Sequence, residues 1–241
     1  ADQTVSVSTT DDDVAGFTVA ETEGSTGVDE SGTTDTITVV LNAQPTSDVV
    51  IAISSSDTGE TAVNGSTVNN NSLTFTSANW DTPQSFTVTG VDDDLVDGTV
   101  ESTLTISVVD ALSDNGFDGV ADQTVSVSTT DDDVAGFTIV ELEGSTEVDE
   151  SGDTDTFTVV LDAQPTSDVV ITIVSSDTGE ATVTSTLTFT PANWDTPQIA
   201  TITGIDDDII DGSQTSTITV SVDDANSDDD FDGVADQTVS V

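Results

Sequence analysis

The chain has 241 residues, of which 48 are Asp or Glu and none is Lys, Arg, His or Cys, giving a formal charge of −48. Such a chain has no side-chain salt bridge and no phosphate clamp, and nucleic acid or an anionic membrane would meet only like charge. It also lacks the groups for a Ser-His-Asp triad, a Cys-His dyad, a thiolate zinc site or a disulfide.

In chain order, residues 1–13 read ADQTVSVSTTDDD, an alternating strand ending in an acidic run. Further runs of β-branched and small polar residues follow at Gly16 to Glu21, Thr34 to Leu41, Val49 to Ser54, Ser72 to Thr76, Ser85 to Val91, Ser102 to Val109 and Gln123 to Thr130. Each is bounded by Gly, Pro, Asn or Asp, and no stretch of comparable length has helical period. About seven short strands in roughly 110 residues predict an all-β, Ig-like sandwich. No segment approaches the ~20 apolar residues of a membrane span. No signal peptide opens the chain, so it is expected to be an internal piece of something longer.

The sequence then repeats. ADQTVSVSTTDDDVAGFT at residues 1–18 returns unchanged at 121–138, and ADQTVSV returns again at 235–241. Domain-sized units repeated in series predict tandem modules. The expected boundaries are 1–13, the closing strand of a preceding module; 14–133, the first sandwich; and 134–241, the second, whose closing acidic run is absent. The chain ends in the phase in which it begins, which predicts either a long series of modules or chains that associate head to tail.

The acids concentrate where strands end. The runs are Asp11-Asp12-Asp13, Asp92-Asp93-Asp94 with Asp97, Asp131-Asp132-Asp133, and Asp206-Asp207-Asp208 with Asp211. Two carboxylates about 4 Å apart repel by roughly 1 kcal/mol in water and roughly 4 kcal/mol at an effective dielectric near 20. Folding stability is only about 5–15 kcal/mol, so packed runs need a bound cation. Calcium, which takes six to eight oxygen ligands from flexible loops, is the expected cofactor; magnesium holds its waters too tightly.

The order GFTVAE, ESG before a strand, SSDTGETA, SLTFTSANWDTPQSFTVTGVDDDLVDG and QTVSVSTTDDD resembles a Calx-beta module, the calcium-binding β-sandwich of sodium/calcium exchangers and of many large bacterial surface proteins. The similarity spans both copies. It implies metal ligands at Glu30, Asp57, Asp92, Asp93, Asp97 and Asp131 to Asp133 in the first module, and at Glu150, Asp177, Asp206, Asp207 and Asp211 in the second. Asp11 to Asp13 would close a preceding site. Asp97 and Asp211 stand where the family has Glu, and Glu21 or Glu23 could serve in place of Glu30.

A further acidic loop, Asp228, Asp230 and Asp232 followed by Gly233 and Asp236, matches the first half of an EF-hand-type loop, with Val239 where the closing Glu would stand. Trp80 and Trp194, one per copy in ANWDTP, read as lid or edge packing. The expectation for function is a calcium-stabilised structural repeat of a long extracellular, cell-surface bacterial adhesin or filament. It would be a rigid spacer with calcium at module junctions, not an enzyme, with calcium ions and neighbouring identical modules as partners. The alternative is a glycan- or protein-binding module, for which the insertion near Asn64 to Asn71 is the place to look.

Overall fold

A computed structural model describes residues 2–65, 71–142, 144–210 and 212–241. The chain forms two compact units, the first of residues 1–93 and 99–132, the second of 94–98 and 133–241. Both are all-β; among the described residues there is no α-helix, only 3-10 turns, and no helix long and apolar enough to cross a membrane.

Unit 1 contains strands β1 (Phe17–Glu21), β2 (Thr26–Asp29), β3 (Thr34–Leu41), β4 (Val49–Ser55), β5 (Thr61–Gly65), β6 (Ser72–Phe75), β7 (Gln84–Gly90), β8 (Thr99–Val108) and β9 (Gln123–Thr130). They form a four-stranded sheet β1-β3-β7-β5 and a five-stranded sheet β2-β9-β8-β4-β6. Alternation along each strand puts one face inside and leaves Thr and Ser on the other. Ile37, Val39, Phe86 and Val88 of the first sheet and Ile51, Leu104, Ile106 and Val127 of the second share one buried core. Each such side chain contributes roughly 1.5–3 kcal/mol of transfer free energy, the main favourable term in closing the sandwich.

Unit 2 repeats the plan with β10 (Phe137–Glu141), β11 (Thr154–Leu161), β12 (Val169–Ser175), β13 (Ala181–Val183), β14 (Thr186–Phe189), β15 (Gln198–Gly204), β16 (Thr217–Val222) and β17 (Gln237–Ser240). Its sheets are β10-β11-β15-β13 and β14-β12-β16-β17. Phe157, Val159, Ala200 and Ile202 meet Ile171, Ile218, Val220 and Val239 in its core.

The runs expected from sequence in the first copy all form strands. Two further ones, β2 and β5, lie between them; both are short, and each exists through a distant partner, β2 with β9 and β5 with β7. The counterpart of β2 in unit 2, residues 146–149, is not a strand, and residues 2–13 are exposed and outside every strand. Trp80 and Trp194 pack at the edges of the two cores, and their carbonyls accept from Leu41 N at 3.1 Å and Leu161 N at 3.2 Å.

Candidate metal centre

Strand β2 runs parallel to β9 in the register Thr26↔Val127, Gly27↔Ser128, Val28↔Thr129, Asp29↔Thr130. The next residue, Glu30, donates its backbone N–H to Thr130 O at 3.1 Å, which sets it beside Asp131. Side chains of an extended chain alternate, so Asp131 and Asp133 turn to one side and Asp132 to the other. Glu30 is 1% exposed, Asp131 and Asp133 are half-buried, and Asp132 is exposed. One carboxylate oxygen from each of Glu30, Asp131 and Asp133 lies within 4.8 Å of the others.

That spacing suits one ion. Ligands 2.3–2.6 Å from a calcium ion stand at most about 5 Å apart. Without a cation, three carboxylates no more than 4.8 Å apart repel pairwise by about 0.9 kcal/mol in water and about 3.5 kcal/mol at an effective dielectric near 20. The donor set is all oxygen and all anionic, the chemistry of a hard divalent cation.

The backbone at this point is held by the end of β7. A Cβ on Gly90 would come within 1.9 Å of Asp29 O, so only glycine lets the two chains cross there. Gly204 and Asp149 O repeat the approach in unit 2, at 2.0 Å. The turn that follows is shaped by Asp29, whose carboxylate accepts from Ser31 Oγ at 2.5 Å while its N–H donates to Thr33 Oγ1 at 2.7 Å. The Ser31 hydroxyl holds the Asp29 carboxyl below the usual range, and Ser151 does the same for Asp149.

Of the residues carried over from the resemblance, the structure therefore brings together Glu30, Asp131 and Asp133. Glu21 is engaged elsewhere, accepting from Thr26 Oγ1 at 3.0 Å; the side chain of Glu23 lies outside the described residues. Asp57 is exposed and its carboxylate caps its own turn through Gly59 N at 2.9 Å. Asp92 is exposed, and Asp93 and Asp97 are half-buried; neither joins the group of three. In unit 2, Glu150 is half-buried, Asp177 caps Gly179 N at 2.9 Å, Asp206 is exposed, and Asp207 accepts from Ile209 N at 2.7 Å. Asp211 lies outside the described residues. Asp11, Asp12 and Asp13 are exposed. Most of the insertion, residues 66–70, also lies outside the described residues.

Sequence reasoning passed over Glu60, which is 7% exposed. Its carbonyl accepts from Val91 N at 2.9 Å and from Thr129 Oγ1 at 3.4 Å, placing it, at the entry to β5 in the opposite sheet, against the end of β9. The only signal was an acid flanked by small residues in SSDTGETA.

In the EF-hand-like loop the first acid caps a turn. Asp228, 3% exposed, caps the 3-10 turn Asp229–Phe231: Oδ1 accepts from Asp230 N at 3.1 Å, while Oδ2 accepts from Ser167 N at 2.6 Å and Thr166 Oγ1 at 2.7 Å. Burial works to raise its pKa and is outweighed by these bonds, so the net shift is downward. Asp114 is the counterpart in unit 1, with Thr46 N and Oγ1 each at 2.6 Å and Ser47 N and Gly116 N each at 2.8 Å. The Thr46 hydroxyl first, then those N–H groups, hold its carboxyl far below the usual range. Both carboxylates tie the loop before the next strand to the turn before the last one. Asp230, Asp232 and Asp236 are exposed; burial, and then the charges of Asp224, Asp229 and Asp228, push Asp232 up.

No family model and no curated protein matches the chain. Among solved structures, the calcium binding domain CBD12 of CALX1.1 is 16% identical over 84% of this chain and 79% of its own, with a TM-score of 0.32. The apo-form Calx CBD1 domain is 17% identical over 48% and 98%, with a TM-score of 0.34. Domains 5-6 of the S-layer protein SbsC are 18% identical over 95% and 98%, with a TM-score of 0.30.

Proposed function

We propose that this chain is a calcium-stabilised structural repeat of a long extracellular surface protein, a spacer of Calx-beta-like modules and not a catalyst. The observation that carries it is the group Glu30, Asp131 and Asp133 in a chain that has 48 acids and no cationic side chain. An ion bound there joins the loop after β2 to the stretch leaving β9, restricting three residues of backbone that lead into the next sandwich. Asp57, Asp92, Asp93, Asp97 and Asp132 are proposed as further or water-mediated ligands. Glu150, Asp177, Asp206, Asp207 and Asp211 are the matching set in the second module, as Asp11 to Asp13 are for a preceding one.

An ion that binds only the folded state stabilises it by about 2.7 kcal/mol at a hundredfold excess over its dissociation constant. Extracellular calcium modules have constants of ~10⁻⁴–10⁻³ M. Calorimetric titration of the chelated chain at low ionic strength is expected to show calcium uptake in that range, with a rise in Tm, and weaker uptake of magnesium. A chain that is equally heat-resistant after exhaustive chelation, or that binds magnesium as tightly as calcium, overturns this function.

A further inference from the structure

Unit 2 is not one stretch of chain. Residues 94–98, which lie in sequence between β7 and β8, belong to it, so the chain enters unit 2 at Asp94, returns to unit 1 at Thr99 and enters unit 2 again at Asp133. Within unit 2 this segment lies beside Gln164, in the turn between β11 and β12. Leu95 and Gln164 form a parallel bridge, Gln164 N donates to Asp94 O at 2.7 Å, and Val96 N donates to Gln164 O at 3.1 Å. Val96, half-buried, packs against the core that holds Ile171, Val220 and Phe231. Gln164 is itself fixed, since its side-chain amide donates to Pro191 O at 3.0 Å.

Both ends of the segment are held by unit 1. At one end Val91, the residue after β7, donates its N–H to Glu60 O at 2.9 Å; at the other, β8 begins with Thr99 opposite Thr130 of β9. Only residues 92–98 hang between these anchors. With the anchors in place, the segment has little backbone freedom left to lose when it settles on Gln164. Without them, all of residues 94–98 would have to be ordered from free chain, and that entropy exceeds what two backbone hydrogen bonds and one half-buried valine return. We infer that residues 94–98 are a clasp that couples the folding of the two units. The segment stays on Gln164 only while both are folded, so each unit is more stable when the other is folded, and the coupling is reciprocal. It goes beyond the calcium function proposed above, and it rests on packing and hydrogen bonds, not on an ion.

The test is hydrogen exchange of the full chain under native conditions, at one fixed calcium concentration. It is read separately in the core strands β3, β7 and β8 of unit 1 and β11, β12 and β16 of unit 2. Val96→Ser removes apolar packing from unit 2 alone. It is nevertheless expected to lower protection about fivefold in both units, because opening either one releases the segment. Ile171→Val, in the core of unit 2 outside the segment, is expected to lower protection in unit 2 only. If Val96→Ser lowers protection in unit 2 alone, the segment is a fixed part of that unit whatever unit 1 does; if it lowers protection in neither, the segment contributes nothing. Either result overturns the inference, as does Ile171→Val acting on both units, which would mean that the two open as one block.

Discussion

Glu30→Gln should change the sign of its effect on stability with calcium. Of the three mutual repulsions within the group, two involve Glu30, and the separations are at most 4.8 Å. Removing both relieves about 1.7 kcal/mol at the dielectric of water and about 7 kcal/mol at an effective dielectric near 20. Because Asp131 and Asp133 are half-buried, a gain of about 2 kcal/mol or more is expected in chelator, several degrees in Tm for a unit of this size. In calcium at a hundredfold excess the same substitution removes a charged ligand and forfeits up to about 2.7 kcal/mol. The melting curves of parent and variant should therefore cross as calcium is raised. Differential scanning calorimetry at low ionic strength, without and with about 10 mM calcium, reads this directly. A Glu30→Gln chain less stable than the parent in both solutions would mean that Glu30 is a structural hydrogen-bonding group and not one member of a cation site.

Gly90→Ala should destabilise unit 1 by more than the about 1–3 kcal/mol of ordinary overpacking, because the new methyl group would sit 1.9 Å from a backbone oxygen that cannot move independently; chemical denaturation reads the loss, and an unchanged midpoint would refute the close approach. Asp114→Asn and Asp228→Asn should each lower stability at neutral pH. Both carboxyls are held below their ordinary values in the folded chain, so their contribution is complete above about pH 5 and disappears as the pH falls through the depressed folded values. The gap between parent and variant should narrow on acidification, and a gap constant with pH would refute it. Asp232, pushed up, acts the other way: its contribution is present below the ordinary carboxylate value and is lost as pH rises through the folded one. Chelated protein at low salt should regain stability on adding sodium chloride to about 1 M, where screening reaches about 3 Å, and a salt-independent Tm would argue against carboxylate repulsion as the cost of losing calcium.

Local alternation was enough to find β3, β4, β7, β8 and β9, because a two-residue period in a chain rich in Val, Ile and Thr has only one way to bury its apolar half. It could not find β2. The run Thr26–Asp29 is four residues containing a glycine, and it becomes a strand only because β9, about a hundred residues later, lies alongside it. That pairing is what brings Glu30, and not Glu21, beside Asp131 and Asp133, so the candidate metal centre was legible as a set of acids and not as a place.

The same limit explains Asp228. Its spacing with Asp230 and Asp232 reads as an ion loop, yet Thr166 and Ser167, some sixty residues earlier, both donate to its Oδ2. Composition alone determined that counter-charge must come from outside the chain, since electroneutrality depends on which residues are present and not on where they sit. Tertiary structure alone decided which carboxylates come close together, because a few ångströms of separation, set by strand register, determine whether like charges crowd one another or remain apart in water.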